Sequence, residues 1–343
     1  MLATAIVDLA VSAPSADNSQ SWCFRIDSDT LVCSYRHRVV TPDPFGPLGH
    51  ANLIACGALL ENLDSLAIQR ASPPKWIATP TSWQIVLERF QQFPEVPQAI
   101  VSRLLARHTN RHPFLQLGKH DLTRLPESPG SRAITIRESS AIKVLGDAIM
   151  HCSLARFDCQ ELHEWLFSSL RWSKQEIDSG TGLDINTLHL PPGGRRFMKW
   201  ISPWPRMALL NRFGIGRVMA YADAALVRNA PGIIAIVSGN SAQETVDSGR
   251  LMQRIWLELN ARGIAVHPYY VLTDQRNRRK SKKLDPKWHA TIDSAIAMAT
   301  EVLNLSPEEH IDMLMRIGRP SCLPVRSRRL PGSAFMDANA VIR

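Results

Sequence analysis

The stretch Pro14-Ser15-Ala16-Asp17-Asn18-Ser19-Gln20-Ser21-Trp22 decides how this chain is read. Residues 5–11 before it are short and apolar and predict a helix. Residues 23–27 after it (Cys23-Phe24-Arg25-Ile26-Asp27) alternate and predict a strand. A turn packed with Ser, Asn and Gln gathers several hydrogen-bonding groups at one point. It suits a flat polar ring better than a metal ion or a covalent nucleophile.

Working outward, residues 51–70 place Leu53, Cys56, Leu60, Leu63 and Ala67 on one helical face. Residues 247–262 do the same with Met252, Ile255, Trp256 and Leu259, and Gly263 stops them. The two helices can be laid over one another from Gly57 and from Gly249, which points to an internal duplication. Apolar strands are predicted at 232–238 and 264–270, on either side of the second helix. Helices flanking a sheet make the fold class α+β. Residues 172–215 hold Gly180, Gly182, Pro191, Pro192, Gly193, Gly194, Pro203 and Pro205 together with Phe197, Trp200 and Trp204. Such a stretch cannot be one helix. It reads as an ordered, lid-like insertion or as a packing arm.

The chain has 343 residues, 45% of them hydrophobic, which is ample for a large core. No apolar run approaches the ~18 residues of a membrane span. Asp8 interrupts the apolar N-terminus and no basic segment precedes it, so the expected location is cytoplasmic with no membrane partner. The six cysteines form no C-x-x-C pair and read as reduced, mostly buried thiols; no metal site is expected. The net charge of +9 is concentrated in Arg276 to Lys283, read as a solvated loop, and in Arg316 to Arg329.

Two further runs carry chemistry. Arg107-His108-Thr109-Asn110-Arg111-His112-Pro113-Phe114 spaces two guanidiniums and a hydroxyl so that an extended segment can aim them at one ligand. Near the C-terminus, Arg316-Ile317-Gly318-Arg319-Pro320 is followed by Arg326-Ser327-Arg328-Arg329. These five arginines repel one another unless an anion or carboxylates balance them. No Ser-His-Asp, Cys-His or paired-carboxylate array stands out, so the catalytic residues are left unknown.

The Pro14–Trp22 turn resembles the P-S-x-x-N-x-Q-P-W signature of the FMN-dependent nitroreductase family, with Ser21 in place of the family's Pro. Residues 107–114 resemble the family's R-x-S-x-R-x-F opening, with Thr109 for Ser. The C-terminal run resembles its I-G-x-P strand and the basic residue that follows. The resemblance implies a nitroreductase-like fold with FMN as cofactor. Pro14, Ser15, Asn18 and Gln20 would then lie at the isoalloxazine, with Arg107, Thr109 and Arg111 on the flavin. Arg328 or Arg329, with Ser327, would hold the phosphate. Gly263, in the turn before His267 and Tyr269, joins the cofactor-binding positions.

In ordinary members of that family the arginine opening precedes the P-S-x-x-N turn; here it follows. The expected organisation is a pseudo-dimer of two unequal repeats. Residues 1–95 form a degenerate N-terminal half, and 96–343 the C-terminal half with the insertion 172–215. This arrangement resembles the Acg-type branch and the nitroreductase portion of ThiF-fused proteins. It implies an FMN-dependent oxidoreductase moving hydride through flavin N5 to or from a small organic substrate, nitroreductase-like or a tailoring dehydrogenase. NAD(P)H is the candidate hydride donor and a separate ThiF-like adenylating enzyme the candidate partner, in a monomer or homodimer. The alternative is a flavin-sequestering protein with a closed lid. A nucleic-acid binder ranks last.

Overall fold

The computed structural model describes residues 2–36, 43–67, 73–92 and 95–337. The N-terminal part starts with α1 (Leu2–Ala10) and the predicted strand β1 (Trp22–Asp27). It continues with β2 (Thr30–Tyr35), α2 (His50–Leu66), β3 (Lys75–Ala78) and β4 (Trp83–Glu88). All neighbouring strands are antiparallel, in the order β1-β2-β4-β3. In β4, Trp83, Ile85 and Leu87 point inward on alternate residues, as a half-buried strand requires. The helix expected over 51–70 ends at Leu66, and residues 68–70 lie outside the described residues.

The chain then runs α3 (Gln98–Ala106), β5 (Phe114–Leu115), β6 (Ser131–Ile136), α4 (Ser139–Phe157) and α5 (Gln160–Ser169). A region of small elements follows: β7 (Leu170–Arg171), α6 (Lys174–Asp178), β8 (Leu183–Asp184), α7 (Gly194–Ile201) and α8 (Trp204–Arg212). Then come α9 (Ile215–Arg228), β9 (Gly232–Ser238), α10 (Ala242–Ala261), β10 (Ala265–Tyr269), α11 (Val271–Lys280), α12 (His289–Val302) and β11 (His310–Pro320). The second sheet is antiparallel, in the order β6-β9-β11-β10 with β5 on the end of β11. Counted within each sheet, both orders are first-second-fourth-third. In both, a long helix, α2 or α10, follows the second strand.

The two long helices meet at glycines. A Cβ on Gly57 would sit 2.1 Å from the Val246 carbonyl oxygen, and one on Gly249 would sit 2.2 Å from that of Ile54. Above this contact the seam is polar. Buried Glu61 pairs with Arg250 and Arg254, and the Gln253 amide donates to Asn62 Oδ1 at 2.8 Å. One apolar core runs from Trp22, Phe24 and Ile85 through Leu59 and Ile255 to Ile234 and Ile236 on one face of β9. Ile233, Ala235 and Val237, on the other face of β9, join a second core with α4, α9, α11 and α12. Residues 172–215 fold into short helices with their own cluster of Leu183, Ile185, Met198, Ile201 and Met207. Among the described residues no helix is long and apolar enough to cross a membrane.

The run Arg276 to Lys283, expected as a solvated loop, is mostly the helix α11, with Arg276 and Arg278 buried. The same helix buries Asp274. Burial pushes its carboxyl up from 3.8 to about 6, against the pull of Arg278 and Arg156. The folded chain then keeps a proton that the unfolded chain has already lost. The stability this group contributes is full below about pH 4 and disappears as pH rises through 6. Asp274→Asn is expected to raise the melting temperature near pH 8 and leave it almost unchanged near pH 4. Equal shifts at both pH values would sink this assignment.

Candidate functional site

The turn after α1 is wound tightly, with Asp17, Asn18 and Gln20 all at positive φ (46°, 59° and 51°). That conformation is uncommon for any residue with a Cβ and marks a turn held by its surroundings. The holding groups come from far along the chain. The Asn18 amide donates to the carbonyls of Gly182 (2.7 Å) and Arg328 (2.9 Å). The Gln20 amide donates to the Gly180 carbonyl at 2.9 Å, and its Oε1 accepts from the Leu330 N–H at 3.2 Å. Ser15 Oγ accepts from the Gln20 N–H at 3.0 Å, and Trp165 donates to Asp17 at 3.0 Å. Pro14 leads into the turn half-buried. Asn18 and Gln20 therefore clasp the insertion and the C-terminal tail in this arrangement. Their amides are engaged by main chain, whereas the sequence suggested that they face a ring. A Cβ on Gly180 would lie 2.7 Å from the Arg329 carbonyl oxygen, so the clasp also needs that glycine.

The arginines converge on the same turn. Arg107 donates to the Ser12 carbonyl through Nε (3.3 Å) and Nη2 (3.0 Å), with its guanidinium 4.7 Å from the Trp256 ring centroid. Arg329 Nη1 donates to the carbonyls of Val11 (2.8 Å) and Ala13 (2.7 Å). Two cations thus grip three consecutive carbonyls just past α1. A helix C-terminus offers them only about half a negative charge. Among the described residues no carboxylate forms an ion pair with either arginine. Burial lowers the Arg107 pKa well below its usual value, and the nearby Arg329 and Arg326 lower it further. Burial pushes Arg329 down to about 10. Exposed Arg326 bonds His108 Nδ1 at 3.0 Å, on the outer side of this cluster.

Arg111 brackets the turn from its other end. Burial lowers its pKa, while Asp17 and Tyr269 attract it and Arg156 opposes it. Buried Asn110 fixes the run: its N–H donates to the Val266 carbonyl at 2.9 Å and its side chain to the Cys322 carbonyl at 3.2 Å. Thr109 lies half-buried between the arginines.

The tail residues divide. Ser327 Oγ accepts from the Asp184 N–H at 3.0 Å, so it fastens the insertion. Arg328 points outward to Asp178 at 3.2 Å, and only Arg329 turns in. Gly263 (φ 71°) closes α10, donating its N–H to the Asn260 carbonyl, and nothing lies within 4 Å of a Cβ built there. It is a helix stop, and no contact ties it to the arginine cluster.

Three more residues approach the site: Arg316 and His267, which the sequence reading named without a bonding partner, and His189, which it did not name. Arg316, 2% exposed, donates to the His112 carbonyl, meets His267 Nδ1 at 3.3 Å and leaves its Nε buried without a partner. Burial, with Arg316 and Arg111 close by, holds the His267 pKa well below its usual value. His189 packs against His112, with ring centroids 4.0 Å apart and the rings tilted by 58°. No local pattern could reveal these pairings, because the partners are distant in sequence. A cleft of about 440 Å³ between insertion and tail is lined by Trp172, Lys174, Asp178, Arg195, Arg326 and Arg328, among others.

A separate polar cluster lies at the start of α2. His50 and His310 converge on Asp312 Oδ1 (2.7 and 2.9 Å), while Ser238 and Ser248 both donate to Oδ2 at 2.6 Å. The ligand atoms of the two histidines and Asp312 lie within 4.8 Å of one another, close enough for a metal. Four protein donors already satisfy the carboxylate, so the arrangement accounts for itself as a buried clamp joining α2 to β9, α10 and β11.

No protein-family profile matches the chain. It is 25% identical over 303 residues to the probable NAD(P)H nitroreductase PigM of Serratia sp., covering 80% of this chain and 81% of the relative. It is 23% identical over 239 residues to the uncharacterized protein MT1398 of Mycobacterium tuberculosis, covering 67% of this chain and 33% of that one. The chain thus spans about a third of the mycobacterial relative. Among solved structures it is similar to the FMN-dependent nitroreductase NfnB of Mycobacterium smegmatis in complex with NADPH (TM-score 0.39, 15% identity, 69% of this chain and 96% of that one). It is also similar to a Bacteroides fragilis nitroreductase with bound FMN (TM-score 0.33, 10% identity, 71% and 97%).

Proposed function

We propose that the chain is an FMN-dependent oxidoreductase of the nitroreductase type, with one flavin held between two unequal halves. The observation that carries this reading is the acid-free group of Arg107, Arg329 and Arg326 at the root of the Ser/Asn turn. A cluster of donors without a carboxylate fits a phosphate. The orphaned Nε of Arg316 fits a further acceptor nearby. The relationship to PigM, a probable NAD(P)H nitroreductase, points the same way.

Arg107 and Arg329 would hold the phosphate and Arg326 would close over it. Thr109 and Arg111 would lie along the remainder of the cofactor. When bound, FMN supplies hydride transfer at N5. Arg111 and Arg316 place positive charge beside a neutral His267, a setting that favours an anionic ring edge. Buried Trp165 covers the turn, donating to Asp17.

The shared strand order of the two sheets supports a pseudo-dimer with halves 1–95 and 96–343. So does the helix seam. Gly57 meets Gly249, its counterpart in the aligned helices. Glu61 with Arg254 and Asn62 with Gln253 are related by the same exchange, as in an isologous interface.

A second reading has its own support. The clasp from Asn18 and Gln20 to residues 180 and 182 makes residues 172–215 a closed cover, which suits a protein that holds flavin with little turnover. Freshly purified protein is expected to be yellow with one FMN per chain. Two per chain would refute the single site, and a colourless protein that stays empty in excess FMN would end the proposal. Anaerobic NADPH is expected to bleach the flavin band; a band that persists for hours selects the holding protein.

A further inference from the structure

Residues 185–222 contain six Lys and Arg residues and no Asp or Glu. All six (Arg195, Arg196, Lys199, Arg206, Arg212 and Arg217) are exposed, and none forms an ion pair among the described residues. The same consecutive helices, α7 to α9, expose large apolar side chains: Phe197 at 37%, Trp200 at 50%, Leu209 at 54%, Phe213 at 78% and Val218 at 64%. Their inner faces are occupied, with Met198, Ile201 and Met207 in the core of the insertion. The exposed apolar groups are therefore not a by-product of an unfilled core. Scattered single hydrophobics on a surface need no explanation. Five along the consecutive run from α7 through the α8–α9 junction into α9, among cations without an ion pair, do.

From this we infer that the α7–α9 face docks on an anionic lipid surface. Charge complementarity selects the occupant. A second copy seated on the same face would set cations against cations, which opposes a symmetric pair. Nucleic acid would satisfy the cations but leave Leu209, Val218 and Phe213 without an apolar partner. An anionic bilayer answers both features: its headgroups meet the arginines, and the boundary of its acyl region takes Phe, Trp and Leu side chains. The helices would lie on the membrane, not cross it, so the protein is a peripheral one. This departs from the sequence expectation of no membrane partner, because composition concentrated attention on two other basic runs. It is independent of the flavin reading.

The test is flotation of the full chain with phosphatidylcholine vesicles, with and without phosphatidylglycerol, at about 0.15 M salt. Recruitment is expected only when phosphatidylglycerol is present. Neutralising Arg196→Gln and Arg212→Gln is expected to weaken it about fivefold each. Phe213→Ser and Trp200→Ser are expected to weaken it about tenfold each, because an apolar side chain is lost from the interface. Melting temperature serves as the folding control. Absence of recruitment would overturn the inference. So would recruitment that Phe213→Ser and Trp200→Ser leave intact, with duplex DNA competing equally well, since that describes a polyanion site. Self-association in sedimentation that Phe213→Ser abolishes would overturn it in favour of a second copy.

Discussion

Arg329→Met is expected to weaken FMN binding about 100-fold while leaving riboflavin binding within a few-fold. Riboflavin lacks only the phosphate, so the pair of titrations isolates the group that Arg329 is proposed to hold. A charge-assisted hydrogen bond is worth roughly 1.5–3 kcal/mol, and about 2.8 kcal/mol is 100-fold. Apoprotein stability should move little. The carbonyls of Val11 and Ala13 lose their donor, at a cost of about 1–3 kcal/mol. The change also removes a cation beside Arg107, which relieves like-charge repulsion in a site without a carboxylate. Arg328→Met is the internal control, because Arg328 points to solvent and Asp178; it should leave both titrations unchanged. Equal losses for FMN and riboflavin, or none for either, would remove Arg329 from the phosphate site.

The second large effect lies at the helix crossing. Gly249→Ala is expected to destabilise the protein by about 3 kcal/mol or more and to release the flavin. Helix propensity alone predicts a gain of about 1 kcal/mol for this change. Packing opposes it and wins. The new Cβ would stand 2.2 Å from the Ile54 carbonyl oxygen and 3.0 Å from Gly57 Cα, and backbone cannot swing aside as a side chain can. Forcing α2 and α10 apart also loosens the bonds that Arg250 and Arg254 make to buried Glu61, and stranding a buried charge costs about 3–5 kcal/mol. Gly263→Ala is the matching control. It meets no clash, should cost only about 1 kcal/mol for its positive φ, and should keep its flavin. A urea titration in which Gly249→Ala is as stable as the parent chain would show that the helices have room to spare.

Much of the scaffold was legible because it is local. Strand β9 runs over the residues its apolar run marked, and α10 stops at Gly263 as the helix period and the glycine require. The three informative runs do meet around one turn. What local patterns could not carry was the direction of individual side chains. Arg328 and Arg329 are adjacent and equivalent in composition, and only tertiary packing turns one out and one in. The basic run of α11 looked solvated because its acidic partners are supplied from elsewhere: Glu161 pairs with Arg278 and Asp293 with Arg279. Asn18 and Gln20 looked like ligand groups because their partners, the carbonyls of residues 180, 182 and 328, are main-chain atoms of distant segments. A carbonyl leaves no mark in a sequence.

The tail that carries Arg329 also finishes the first sheet, where Met336 bridges to Phe24 and the Asp337 N–H donates to the Phe24 carbonyl at 2.8 Å. During synthesis, that edge of β1 must wait until residue 337 has left the ribosome. At about 5–20 residues per second the wait is on the order of tens of seconds. An uncapped strand edge is a template for wrong pairing throughout that time. The nascent chain is therefore expected to depend on chaperone shielding of its first hundred or so residues, and fragments ending before the tail should aggregate even though they contain all four strands of the first sheet.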